Sequence, residues 1–156
     1  MSEIPKRLGV AFLIFLLVWF PFQTVHEEIM TSPLESPEIK EKVEGCIKTL
    51  MEGQSDYSKA ILEKQRDKLE ILCSKYPDFS EVLLCMWEKE SSYGKNLFGD
   101  FWNGKPRAIG HYQVWIDKHS ISYECAIDFA CSTDFVYKML QEGKGNLWVT
   151  YKKCVQ

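Results

Sequence analysis

Apolar residues recur at helical spacing over most of the chain beyond residue 36. Ile39, Val43, Cys46, Ile47 and Leu50 form one stripe, which predicts a helix. Ser36-Pro37-Glu38 opens it as N-cap, first helical proline and first-turn acid, and Gly53 with Gln54-Ser55-Asp56 closes it. A second helix is expected from about Tyr57 to Lys75, with Leu62, Leu69, Leu72, Cys73 and Tyr76 on one side. Pro77-Asp78-Phe79-Ser80 makes a break and a new cap, and a third helix follows over about residues 81–92. Gly94, Gly99, Gly104 and Pro106 mark residues 94–107 as loop. A short helix is expected to start near Gly110. Two more flank the Cys125–Cys131 region; Ser132 caps the second, which carries Phe135, Val136, Met139 and Leu140 and stops at Gly143 and Gly145. A last helix places Leu147, Trp148, Tyr151 and Cys154 on one face. No strong alternation of apolar and polar residues occurs, so any sheet is a small β-hairpin within the 94–107 loop. The fold class expected is mostly α.

Residues 1–25 stand apart. Lys6 and Arg7 precede an apolar run from Leu8 to Phe22, the pattern of an export signal. The run is short for a membrane-spanning helix, which needs about 20 apolar residues; extended over residues 8–25, it offers a membrane anchor as the alternative. Residues 26–35 read as a linker, and residues 36–156 as one domain. The location expected is outside the cytoplasm: extracellular, periplasmic or anchored to the outer face of the cytoplasmic membrane. A chain of 156 residues, 46% apolar and 26% charged, supports one ordinary globular core. The formal net charge of −3 and the absence of a long basic run exclude a nucleic-acid footprint.

Six cysteines follow the apolar run: Cys46, Cys73, Cys85, Cys125, Cys131 and Cys154. An even count behind an export pattern points to disulfides. Cys125 and Cys131 are close enough to close a small loop. The other pairings stay open, with Cys46–Cys73 favoured because both lie on core stripes of consecutive helices. A zinc site is not expected, since no CxxC pair exists and the histidines are scattered at positions 26, 111 and 119. His111 reads as a groove or surface histidine.

The third helix carries the candidate chemistry. Leu83, Met86, Trp87 and Glu90 lie at i, i+3, i+4 and i+7 and share one face. Glu90 is thus a carboxyl group at the end of an apolar stripe, beside a glycine-rich loop, whereas Glu88 lies with Glu81, Leu84 and Cys85. Burial disfavours the ionised form and raises a carboxyl pKa. A carboxylic acid protonated near neutral pH is what glycosidic cleavage requires to protonate its leaving oxygen. Taken alone, a partly buried structural glutamate is the commoner reading.

Three blocks tip that balance. Glu90-Ser91-Ser92-Tyr93 resembles the Glu-Ser-Ser-aromatic signature of lysozyme-like lytic transglycosylases, those with a soluble lytic transglycosylase-type catalytic domain. Ala108-Ile109-Gly110-His111-Tyr112-Gln113-Val114 resembles that family's Gly-Leu-Met-Gln segment, with Gly110 and Gln113 in the key places. Trp148-Val149-Thr150-Tyr151 resembles its closing Ala-Tyr-Asn segment. The blocks agree in order and spacing across residues 85–154. His111 and Tyr112 depart from the usual apolar pair, and Lys152 and Lys153 replace the closing Asn and Gly.

The resemblance implies a lysozyme-like fold and cleavage of the β-1,4 bond between N-acetylmuramic acid and N-acetylglucosamine in peptidoglycan, leaving 1,6-anhydro-muramic acid ends. Glu90 would be general acid, then base. Ser91 would be a groove residue that hydrogen-bonds the muropeptide or the catalytic neighbourhood. Gly110 would let the backbone approach the sugar. Gln113 would hydrogen-bond the sugar through an amide that donates and accepts. Tyr151 would place its hydroxyl near Glu90 or the acetamido group. Tyr112 stands with Tyr93, Phe98, Phe101, Trp102 and Trp115 as an aromatic residue near the cleft in sequence, some of them for stacking on sugar rings. The implied partner is the peptidoglycan strand; no cofactor is implied, and a monomer is expected. Asp100 and Asp117 are the carboxylates available to a two-carboxylate lysozyme-type hydrolase, the nearest alternative. A catalytically inactive glycan-binding or interaction module is the other.

Overall fold

A computed structural model describes residues 36–155. They form a predominantly α-helical domain with one small three-stranded sheet. Helix α1 runs Pro37–Glu52, with Pro37 and Glu38 in its first turn and Gly53 at its end. Ser36 takes the extended N-cap conformation, but its side chain makes no capping bond.

The single helix expected over residues 57–75 is instead two. Helix α2 (Asp56–Leu62) is capped by the Ser55 hydroxyl, which accepts from the Ser58 N–H. A 3₁₀ turn, Glu63–Gln65, separates it from α3 (Arg66–Lys75). The cause lies at Gln65. Its backbone leaves helical geometry at φ −126°, ψ 32°, and its amide donates to the Tyr93 carbonyl at 2.9 Å. A tertiary hydrogen bond there outweighs local helix propensity.

Helix α4 (Ser80–Ser91) is the central element. It buries Leu83, Leu84, Met86 and Trp87 against α1, α3 and the C-terminal segment. With Leu62, Leu69, Leu72 and Val136 these residues form the core. Each fully buried side chain of this size contributes about 1.5–3 kcal/mol relative to exposure.

Strands β1 (Phe98–Trp102), β2 (Lys105–Ile109) and β3 (Val114–Trp115) pair antiparallel in that order. Trp102 faces Lys105 across the hairpin end. The two residues between, Asn103 and Gly104, both have positive φ, 49° and 74°, as a type I′ turn requires. The short helix expected near Gly110 is absent. Gly110 at φ 84° and Gln113 at φ 49° reverse the chain, which returns as β3 against β2 with Trp115 opposite Ala108.

Helix α5 (Tyr123–Ile127) is capped by Ser122 and α6 (Phe129–Gln141) by Asp128, whose carboxylate accepts from the Cys131 N–H at 2.7 Å. The expected cap, Ser132, lies inside α6 and donates to the Asp128 carbonyl at 2.6 Å. Gly143, at φ 72°, follows the helix end. The expected last helix is also divided, into a 3₁₀ turn at Gly145–Leu147 and α7 at Tyr151–Cys154, because Trp148 between them is extended. Its indole N–H donates to the Tyr112 carbonyl at 2.8 Å.

Three disulfides staple the domain: Cys46–Cys73 joins α1 to α3, Cys85–Cys154 joins α4 to α7, and Cys125–Cys131 joins α5 to α6. The expectation of membrane retention needs correction. Among the described residues no helix is long and apolar enough to cross a membrane. The export signal or anchor over residues 1–25, the 8–25 span within it and the linker over 26–35 lie outside the described residues. The expected exported location, anchored to the outer face of a membrane, finds no spanning helix among the described residues.

Candidate functional site

Glu90 occupies the last turn of α4, which ends where Ser92 turns left-handed at φ 52°. The side chain faces a cleft of about 650 Å³ between the sheet and the segment before α7. Asp100, Gln113, Trp115 and Thr150 share the lining with it. Burial raises the Glu90 pKa above the ordinary carboxylate value, and a hydrogen bond donated by the Thr150 hydroxyl opposes that shift. The negative end of the α4 dipole acts with burial, because it also disfavours a carboxylate. Glu88 sits on another side of the helix, in a separate hollow with Glu81, Leu84 and Cys85. Its carboxylate lies 3.4 Å from the Lys89 ammonium.

The structure brings Glu90 and Gln113 to one cleft. It places Ser91, Gly110, Tyr112 and Tyr151 in the frame around that cleft. Ser91 is buried and its hydroxyl is fully engaged. It donates to the His111 carbonyl at 2.7 Å and accepts from the Gly94 N–H at 2.9 Å. Ser91 therefore ties the end of α4 to the 110–113 turn and offers nothing to a groove. Gly110 meets protein rather than an open face: a Cβ there would stand 1.6 Å from the Ala126 carbonyl oxygen. The close approach is thus to α5. Tyr112 is fully buried, with its hydroxyl accepting from Thr133 at 3.3 Å. Tyr151 does not line the cleft; its ring covers Gly145, where a Cβ would come within 2.4 Å of it.

Gln113 lines the cleft with half of its amide committed. Its Nε2 donates to the Asn96 carbonyl at 3.0 Å and the Gly110 carbonyl at 2.9 Å. Both N–H groups are spent on the loop, and only the amide oxygen is left as an acceptor. His111 is buried and not a groove residue. Its Nδ1 accepts from the Trp87 indole at 3.1 Å. Burial pushes it down to about 4, with nearby Lys68 adding to the shift and Asp128 opposing it.

Of the aromatic residues expected around the cleft, Trp115 lines it. Tyr93 and Tyr112 belong to the core, while Phe98, Phe101 and Trp102 are exposed on β1. Sequence reasoning missed Thr150, which directly precedes the favoured Tyr151 and reaches Glu90 in its place. It also missed Arg107 and Lys118 beside Trp115. Asp100 lines the cleft and Asp117 does not. Asp100 holds a left-handed backbone, φ 45°, a conformation rare for a residue with a Cβ. Among the described residues no group of three or more His, Cys, Asp or Glu side chains is placed to hold a metal ion. Chemically, the cleft offers a carboxyl group biased toward its protonated form, a second carboxylate, an aromatic ring and a free amide oxygen. No family model, curated protein or solved structure matches the chain.

Proposed function

We propose that this domain is a lysozyme-like lytic transglycosylase that cleaves the N-acetylmuramic acid to N-acetylglucosamine bond of peptidoglycan. The observation that carries the reading is Glu90, a carboxyl group held toward its neutral form at the wall of an open cleft. The sequence blocks around Glu90, Gly110 and Trp148 support it, as does a central helix that ends at a small antiparallel sheet.

In this reading Glu90 donates its proton to the departing glycosidic oxygen as the bond to the anomeric carbon breaks. The acetamido group of the substrate stabilises the positive charge left at that carbon. The muramyl 6-hydroxyl then attacks it and returns its proton to the Glu90 carboxylate, closing the anhydro ring without water. The Thr150 hydroxyl holds the carboxyl group in place. Its donated bond favours the carboxylate produced midway, so the acid is not trapped in its protonated form.

Digestion of purified sacculi by the full-length protein tests the reading. Products ending in 1,6-anhydro-muramic acid, lighter by one water than hydrolysis products, are expected by mass spectrometry. A second reading, a lysozyme-type hydrolase, is favoured by Asp100 lining the same cleft as Glu90. It requires reducing-end products, which would overturn the transglycosylase assignment.

A further inference from the structure

Two cations stand in the cleft against one aromatic ring. The Arg107 guanidinium carbon lies 4.0 Å from the centre of the Trp115 ring, and the Lys118 ammonium nitrogen lies 3.9 Å from it. The two charges are therefore at most about 8 Å apart, within reach of mutual repulsion at ordinary salt. The arrangement is built by the backbone. Arg107 precedes Ala108, the cross-strand partner of Trp115. The Trp115 carbonyl accepts from the Lys118 and His119 N–H groups at 3.0 and 3.1 Å, which folds Lys118 back toward the ring. Among the described residues, no carboxylate lies within ion-pair distance of either cation. The chain as a whole is acidic, at −3, so this pair is not a sample of a basic surface. The two carboxyl groups that share the lining, Glu90 and Asp100, make no ion pair with either cation.

We infer that Arg107 and Lys118, held against Trp115, form an anion subsite that takes a carboxylate carried by the glycan. The inference rests on the proposed glycan substrate and adds what distinguishes one glycan from another. A guanidinium stacked on an indole keeps its N–H edge available for a carboxylate, and an ammonium nearby completes charge-assisted bonding. In peptidoglycan the carboxylate has two sources: the lactyl carboxyl of a muramyl sugar without peptide, or the carboxyl groups of a peptide, which is itself joined to the lactyl carboxyl as an uncharged amide. An uncharged chitin-type strand offers neither.

Calorimetric titration of the full-length Glu90→Gln protein, which holds the substrate uncleaved, tests the subsite. The probes are muramyl-peptide glycan fragments, the same fragments freed of peptide, both kinds with carboxylates converted to amides, and N-acetylglucosamine oligomers of equal length. The carboxylate-bearing fragments should bind about tenfold more tightly than the amidated ones. The advantage should shrink as salt is raised to about 0.5 M. It should disappear in Arg107→Gln/Lys118→Gln protein. Tighter binding of the peptide-free fragments assigns the lactyl carboxylate; tighter binding of the peptide-bearing fragments assigns the stem. Equal affinity for acid and amide forms, or no binding of any probe, overturns the subsite. The comparison of ligands needs no variant at Arg107 or Lys118, so a misfolded double variant does not rescue the proposal. Cleavage is not read, so failure here is separate from failure of wild-type protein to release anhydro products.

Discussion

The helical body and the segment that builds the cleft wall obey different rules. In the body, α1, α3 and α4 bury apolar stripes; Cys46–Cys73 joins α1 to α3, and Cys85–Cys154 ties the short α7 to α4. In the segment from Ser92 to Gln113, the chain is governed by backbone conformation. Ser92, Tyr93, Asp100, Asn103 and Gln113 all have positive φ without being glycine, and among the described residues no other non-glycine does. Such residues cost on the order of 1 kcal/mol or more each and persist only where their surroundings hold them. The body supplies that hold, through the Gln65 amide on the Tyr93 carbonyl and the Ser91 hydroxyl on the His111 carbonyl. Stability is thus concentrated in one region and strained geometry in the other, with Glu90 at the junction.

The largest expected effect breaks the function and spares the body. Glu90→Gln removes the proposed proton donor and should lower cleavage of sacculi by about 10²–10⁴-fold. Stability should move the other way. The folded protein holds the Glu90 proton to higher pH than the unfolded chain. Its contribution therefore falls as pH rises from the ordinary carboxylate value through the raised one. At neutral pH the glutamine variant should melt at or above the wild-type temperature. Glu88→Gln should change little in either assay, and an inactive Glu88→Gln protein would reverse the assignment of faces on α4.

The second effect breaks the body. Replacing Cys85 and Cys154 by Ser opens a loop of 69 residues and should cost about 4 kcal/mol on chain-entropy grounds, read by denaturant unfolding. The same change at Cys125 and Cys131, separated by 6 residues, should cost about 2 kcal/mol. A larger loss from the short loop than from the long one would mean that the staple at α5 and α6, not the body, bears the fold.

The two regions also differ in how far they can be read from sequence. Helices α1 and α4 follow from apolar spacing, since a buried stripe leaves a period in the chain. The Cys125–Cys131 bond follows from proximity. The hairpin was legible as a turn-rich loop, and Asn103-Gly104 marks its type I′ end for a reader who tests that pair. The break at Gln65 was not legible, because its cause is Tyr93, which is distant in sequence. Nor was the reversal at Gln113, because glutamine carries no mark of a left-handed backbone. Ser91 and Tyr112 have side chains suited equally to a groove or a buried network, and only packing distinguishes the two. Thr150 was passed over for its neighbour Tyr151 because a one-residue offset decides which side chain reaches Glu90.

A third, smaller effect probes the seam between the regions. His111 accepts from Trp87 and is held down to about 4 by burial. In the unfolded chain it titrates near 6.5. Between those values the unfolded state binds a proton that the folded state does not. Stability from this group is present above about pH 6.5 and lost on acidification, by at most about 1.4 kcal/mol per pH unit. Denaturant unfolding from pH 7 to pH 4 should show that slope in wild-type protein and lack it in His111→Asn. An unchanged slope in the variant would place the acid sensitivity elsewhere.

The smallest effect separates strain from chemistry at Asp100. Its left-handed backbone costs most residues with a Cβ about 1–2 kcal/mol, and Asp, like Asn, less. Glycine removes that cost but adds about 0.5–1 kcal/mol of unfolded-state entropy. Asp100→Gly should therefore gain less than about 1 kcal/mol by thermal unfolding. Asn tolerates the same conformation, so Asp100→Asn should leave stability unchanged. Both variants lack the carboxylate, and their activities should agree. If Glu90 acts with the substrate's own acetamido group, both still release anhydro products, with rates close to wild type. If Asp100 serves the second half of a hydrolytic reaction, both lose activity together despite different expectations for stability. Loss in the glycine variant alone would mean that the cleft needs the rigid left-handed turn and not the charge it carries.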